Sequence, residues 1–270
     1  VTAWAEGDRV GVGWHGGHCF TCEPCRRGEF IACENGRITG IHFDGGYAEY
    51  MTAPQEALAA IPADLDAVDA APLLCAGVTT YNALRNTDAR PGDLVAVQGI
   101  GGLGHLGIQY AHHAGFETVA VSRGTEKRDL AFDLGADHFV DSAEHGSADS
   151  EATGPAEALA DLGGVKVILA TAPSAEAIES VVGGLGVNGE LVAVGVPHDD
   201  VGVSVQTLVG GKRSVSGWAS GSARDSQDAL EFSDLRDVTP SVEEFGLDEV
   251  GDAYAAMYDG DVRFRSVVVP

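Results

Sequence analysis

Between residues 77 and 219 the chain alternates short, wholly apolar runs with segments of helical periodicity. Asp93-Leu94-Val95-Ala96-Val97-Gln98 leads into a helix predicted over 103–113. Thr118-Val119-Ala120-Val121 leads into another over 126–134, and His138-Phe139-Val140 makes a third strand. Strands predicted over 166–170 and 190–194 continue the alternation. Strands that are apolar at every residue, not every second one, are buried on both faces. The pattern therefore predicts a doubly wound parallel sheet covered by helices on both sides. The polar interval 141–164 reads as an exposed loop followed by a short helix around 156–162.

The flanks differ. Residues 1–76 are rich in Gly, with short β-like runs such as Arg9-Val10-Gly11-Val12 and Tyr47-Ala48-Glu49-Tyr50-Met51. From 220 onward the pattern predicts one helix over 247–257 and a closing strand over 264–269. The expected division is 1–76, 77–219 and 220–270, without internal repeats. The apolar runs are far shorter than the roughly 20 residues of a membrane span. The opening Val1-Thr2-Ala3-Trp4-Ala5-Glu6 lacks the basic stretch and apolar run of a secretory signal, and reads as a start inside a domain.

Gly99, Gly101 and Gly104 form G-x-G-x-x-G directly between a predicted strand and a predicted helix. In such a turn the first Gly permits the tight bend and the second admits a pyrophosphate close to the backbone. The third lets helix and strand pack closely, and the helix N-terminus faces the phosphates. Gly99, Gly101, Gly102, Leu103 and Gly104 are thus candidate contacts for a nicotinamide dinucleotide. An NAD-preferring site carries Asp or Glu about 20 residues on, at the end of the second strand. Here that place holds Ser122, followed by Arg123 and, a helical turn later, Lys127. Absence of the carboxylate, with two cations to pair with a 2′-phosphate, favours NADP over NAD.

Cys19, Cys22, Cys25 and Cys33 place four thiols within 15 residues. Spacings this short let a loop fold round one ion, and four thiolates close a tetrahedral site, so a structural zinc is expected. His15 and His18 lie close by but are expected to be bystanders.

Charge adds a further constraint. There are 41 Asp and Glu against 16 Lys and Arg, a formal net of −25, and the only lysines are Lys127, Lys166 and Lys212. The acids are scattered through every segment, which suits a halophile's surface where salt screens self-repulsion. Such a surface excludes nucleic acid as a partner, since that binding needs basic stripes. With no export signal and its cysteines clustered for metal, the chain is expected to be cytoplasmic.

Several motifs occur here in one order: the cysteine lobe, Gly45-Gly46-Tyr47-Ala48-Glu49-Tyr50, Pro72-Leu73-Leu74-Cys75-Ala76-Gly77-Val78-Thr79-Thr80, the glycine turn, Val194-Gly195-Val196-Pro197 and Arg265-Ser266-Val267-Val268. That order resembles the zinc-dependent medium-chain alcohol dehydrogenases over nearly the whole chain. The resemblance implies a Rossmann domain inserted in a GroES-like β-rich catalytic domain, present here in part. It implies reversible oxidation of a small alcohol to an aldehyde or ketone, with hydride transfer to NAD(P), and a homodimer or homotetramer. It assigns Cys75 as a ligand of a catalytic zinc and Thr79 as the residue behind the nicotinamide. It gives the Val194 carbonyl to the carboxamide, places Trp218 on the opposite side, and pairs Arg265 with the coenzyme phosphates. Read without the family, Cys75 is equally a small buried residue at a helix start.

The sequence also departs from the family. No Cys precedes Cys19 and no Gly-His-Glu occurs, so the family's other catalytic-zinc ligands and its relay Ser or Thr are missing. The expectation is therefore an alcohol dehydrogenase chain that is truncated, misread at its start, or degenerate, with negligible turnover on its own. The alternative is a non-catalytic, zinc-stabilised dinucleotide-binding module that has lost its catalytic lobe. A zinc-free quinone oxidoreductase is disfavoured by the intact cysteine lobe.

Overall fold

The computed structural model describes residues 1–143 and 154–270; the part of the expected polar loop over 144–153 lies outside the described residues. The chain forms two compact units, Val1–Asn82 with Ala219–Pro270, and Ala83–Trp218.

The strands in chain order are β1 (Val10–Val12), β2 (Leu58–Ala60), β3 (Leu94–Gln98), β4 (Glu117–Ser122), β5 (His138–Asp141), β6 (Val165–Ala170), β7 (Leu185–Ala193), β8 (Ser214–Gly217), β9 (Val242–Gly246) and β10 (Arg265–Val269). The helices used below are α1 (Glu23–Arg26), α2 (Ala67–Pro72), α3 (Val78–Arg85), α4 (Gly104–His113), α5 (Arg128–Asp133), α6 (Pro155–Asp161), α7 (Ala175–Val182), α8 (Val205–Gly211), α9 (Ala223–Arg236) and α10 (Val250–Asp259).

The unit Ala83–Trp218 holds a parallel sheet in the order β5-β4-β3-β6-β7-β8. Val95, Ala96 and Val97 are consecutive in β3 and all fully buried, so both faces of the sheet are covered, as the apolar runs predict. Leu159, Ile178 and Val181 of α6 and α7 join Ile168 and Leu191 in one continuous core. Truncating Leu159, Ile168, Ile178 or Leu191 to Ala would cost about 2–5 kcal/mol. Chain order reverses at β3, which lies between β4 and β6, and a crevice at such a switch point is where open α/β sheets bind ligands.

Two readings of this unit shift. The strand expected over 190–194 begins earlier, at Leu185, and pairs with β6 through an irregularity between Val165 and Val167. Asn188-Gly189 is accommodated inside the strand, with Asn188 at φ +57°. The helix expected from 126 starts at Arg128.

The other unit is built from short pieces. β1 pairs antiparallel with β2, whereas β9 pairs parallel with β10 across α10, which supplies the crossover a parallel pair needs. The run Tyr47–Met51 forms no strand: Tyr47 and Tyr50 are exposed, and alternation without a partner edge makes no ladder. The segment after 220 holds α9 besides the expected helix. Ser222 caps α9 in a reciprocal box with Asp225, a Ser-x-x-Asp signature readable in the sequence.

Candidate functional site

At the end of β3, Gly99 adopts φ +93° and its N–H donates to Val121 O at 2.8 Å. Only glycine takes that conformation without strain. A Cβ on Gly104 would overlap the carbonyl oxygen of Gly99, so this position must be bare for α4 to start against β3. A Cβ on Gly101, by contrast, would meet nothing within 4 Å. The first and third glycines are needed by the fold, and the second borders open space at the start of a helix. That is the cradle a dinucleotide pyrophosphate requires, and these residues fit it.

Around this turn the ends of neighbouring strands gather the other candidates. Ser122 closes β4 and is buried, while Arg123 is exposed. Gly124 is held by Asp141 of β5, its N–H donating to Oδ1 at 2.7 Å, and the Glu126 carboxylate lies against it. Val194 follows β7 with its N–H on Ala170 O at 3.0 Å, and half-buried Trp218 follows β8 with its N–H on Ala193 O at 3.0 Å. Lys127, expected near a 2′-phosphate, donates from Nζ to the carbonyl of Ile100 inside the glycine turn at 2.7 Å. Sequence reasoning missed Thr171, whose Oγ1 lies 2.9 Å from Gln98 O and 3.1 Å from Gly99 O. Its signal was a lone hydroxyl at the end of the apolar β6 run.

In the other unit, Cys22 caps α1, Cys25 sits within it, and a 3₁₀ turn at Phe30–Ala32 delivers Cys33. The Sγ atoms of Cys19, Cys22, Cys25 and Cys33 all lie within 4.8 Å of one another. Cys33 Sγ is 3.6 Å from Cys19 Sγ and 3.7 Å from Cys22 Sγ. Four thiolates about 2.3 Å from a tetrahedral zinc stand about 3.8 Å apart, so the cluster fits that ion. The Cys19 sulfur accepts from Thr21 Oγ1 (3.4 Å), Cys22 N (3.4 Å) and Asn35 Nδ2 (3.5 Å). These donors, Thr21 foremost, lower the Cys19 pKa to about 5. Burial, with the neighbouring thiols of Cys22 and Cys33, raises that of Cys25 to about 12. His15 and His18 face each other, Nε2 to Nδ1 at 3.0 Å, and stand outside the four-sulfur group.

Cys75 is exposed, so it is not a buried filler. It lies on a π-helical turn, Leu73–Gly77, between α2 and α3, a rare distortion found mostly at functional sites. Thr80 Oγ1 donates back to Ala76 O at 2.8 Å, and Thr79 is buried a turn beyond Cys75. Arg265, at the start of β10, is half-buried: burial lowers its pKa and the charge of the Cys75 sulfur pulls it back up. Among the described residues the four-cysteine cluster is the only group of three or more metal-ligating side chains, and Cys75 is not part of one. No helix among the described residues is long and apolar enough to cross a membrane.

Comparison with known proteins agrees with these features. Residues 102–234 match the zinc-binding dehydrogenase family and residues 1–63 the alcohol dehydrogenase GroES-like domain. Over 269 residues the chain is 45% identical to alcohol dehydrogenase patD of Penicillium expansum, covering 99% of this chain and 76% of that protein. Among solved structures it resembles a cinnamyl alcohol dehydrogenase of Sorghum bicolor (TM-score 0.85, 30% identity, 99% of this chain and 76% of that one). It also resembles the Helicobacter pylori CAD complexed with NADP(H) (TM-score 0.81, 25% identity, 99% and 76%). The chain belongs to the zinc-dependent medium-chain alcohol dehydrogenases, a family of NAD(P)-dependent oxidoreductases built from a Rossmann and a GroES-like domain.

Proposed function

We propose that this chain binds NADP on the turn 99–104 and serves the reversible oxidation of a small alcohol to an aldehyde or ketone. The observation that carries the reading is the glycine geometry: Gly99 and Gly104 are demanded by packing, while Gly101 faces open space. A bound nicotinamide would supply the hydride acceptor and the family's catalytic zinc would supply polarisation of the substrate oxygen, with Cys75 as the one ligand identified for it here. In this reading the Val194 carbonyl and Trp218 orient the nicotinamide, and Thr79 backs it. Ser122 leaves room for a 2′-phosphate and exposed Arg123 pairs with it. The complex of the Helicobacter pylori relative with NADP(H) supports that choice. Residues 77–219 would form the coenzyme domain, with 1–76 and 220–270 forming the catalytic side.

Cys75 offers one ligand where a catalytic zinc needs three, so these 270 residues on their own are expected to turn over negligibly. The experiment is a coenzyme titration combined with an alcohol-oxidation assay on the zinc-loaded 270-residue chain. Tight NADPH binding supports the coenzyme reading and tighter NADH binding contradicts it; measurable turnover would contradict only the expected inactivity of these 270 residues, not the alcohol-oxidising role.

The edge strand β8, with Val215 exposed on it, and the exposed Val205 and Val209 of α8 support association with a second copy, giving a homodimer or homotetramer. Equilibrium sedimentation at the monomer mass would contradict that. A cluster that must stay reduced to hold zinc favours a reducing compartment such as the cytoplasm. Sixteen cations cannot pair 41 acids, which favours a halophilic surface; stability that failed to rise from dilute to molar KCl would count against it.

A further inference from the structure

The three carbonyls that open the dinucleotide turn are each held by a side chain from a different element. Thr171 Oγ1, after β6, lies 3.1 Å from Gly99 O, sharing its one proton with Gln98 O at 2.9 Å, and Lys127 Nζ, before α5, donates to Ile100 O at 2.7 Å. His105, in the first turn of α4, donates to Gly101 O twice, from its backbone N–H at 3.1 Å and from ring Nδ1 at 2.9 Å. Since that acceptor is a carbonyl, Nδ1 carries the proton, which fixes the tautomer of a fully buried ring.

The geometry has a consequence for anion binding. Across a planar trans peptide the C=O and the following N–H point in opposite directions. Each grip on a carbonyl of Gly99, Ile100 or Gly101 therefore fixes the direction of the next N–H group, that of Ile100, Gly101 or Gly102. Successive N–H groups facing one side form an anion cradle. Glycines leave the peptide planes of such a turn free to rotate, so without these grips part of the binding energy would go into ordering them.

We propose that Thr171, Lys127 and His105 are positioning residues that preset this cradle for a dinucleotide pyrophosphate. Through this grip on the turn Lys127 serves NADH and NADPH alike. The proposal rests on the turn being the coenzyme site.

The test is calorimetric titration of the zinc-loaded chain with NADH, and with NADPH in parallel, for wild type and Lys127→Met, Thr171→Val and His105→Leu. Thr171→Ser and His105→Asn preserve a donor. The NADH result decides. Lys127→Met is expected to raise the NADH Kd roughly tenfold, as loss of a charged hydrogen bond does. Thr171→Val and His105→Leu are expected to raise it more than about threefold, with the donor-preserving variants staying below that. An NADH Kd changed less than about threefold by Lys127→Met overturns the proposal, and assigns Lys127 to the 2′-phosphate if NADPH alone weakens. Should His105→Leu fail to fold, Lys127→Met at its half-buried site still decides the outcome. Wild-type protein binding neither coenzyme would overturn the underlying site reading, and that result is visible before any variant is made.

Discussion

Asp141 Oδ1 accepts two backbone hydrogen bonds, from Gly124 N–H at 2.7 Å and from Ala143 N–H at 2.8 Å. The carboxylate closing β5 thereby fixes the loop that carries Arg123 out of β4, where Gly124 turns the chain at φ +74°. A charged acceptor bond is worth about 1.5–3 kcal/mol. Asp141→Ala is therefore expected to cost about 2 kcal/mol in denaturant unfolding, while Asp141→Asn, which keeps an acceptor oxygen, recovers most of it. Equal stability of the Ala and Asn variants would show that the bond contributes nothing.

The same loop sets coenzyme preference. Arg123→Ala is expected to raise the NADPH Kd about tenfold and leave NADH within about twofold. Adding Ser122→Asp, which restores the ribose-binding carboxylate and repels a 2′-phosphate, should reverse the preference. Fluorescence titration of both coenzymes checks this, and equal losses for the two would remove Arg123 from the 2′-phosphate.

The zinc lobe should reveal its charge order once the metal is stripped. With Cys19 lowered to about 5 and Cys25 raised to about 12, Cys19 is a thiolate near pH 7 and Cys25 a thiol. Alkylation of chelator-treated protein, followed by peptide mass mapping, is expected to label Cys19 before Cys25. Thr21→Val should move the pH at which Cys19 alkylation sets in upward, because the Thr21 hydroxyl is the leading stabiliser of that thiolate. Loaded protein should resist labelling of all four cysteines, and removing the zinc should lower the thermal midpoint of the unit that holds them.

His15 gives a pH dependence with a definite sign. Burial first, and His18 second, lower its pKa from 6.5, against smaller opposite pulls from Asp225 and Glu56. The folded state thus resists a proton that the unfolded chain accepts. Its contribution is complete above about pH 6.5, declines as pH falls below that, and levels off once the folded-state pKa is passed. Denaturant midpoints between pH 7.5 and 5 should fall in wild type and fall less in His15→Gln; identical slopes would exclude His15 as a source.

Much of the coenzyme domain was legible in the sequence because its signals are local. Apolar runs such as 94–97 and a glycine turn set between strand and helix need no knowledge of the rest of the chain. The cysteine lobe is legible for the same reason, with its four ligands inside 15 residues. What escaped depends on partners distant in sequence. Lys127 reads as a partner for a 2′-phosphate until β3 and β4 are paired and Ile100 comes within its reach. Thr171 lies 72 residues from the carbonyl it grips. The π-helical turn under Cys75 leaves no periodic trace in five residues, and Tyr47–Met51 alternates like a strand but has no edge to join.

Gly101 offers the most direct test of the central claim, that the turn 99–104 holds the coenzyme. Its Cβ position is open, so Gly101→Val should fold with an unchanged thermal midpoint while placing a side chain where the pyrophosphate must approach. Calorimetric titration with NADPH is expected to show saturable binding by wild type and at least a roughly hundredfold weaker Kd for Gly101→Val, about 2.7 kcal/mol. Wild-type affinity retained in a folded Gly101→Val protein would contradict the account and place the coenzyme elsewhere.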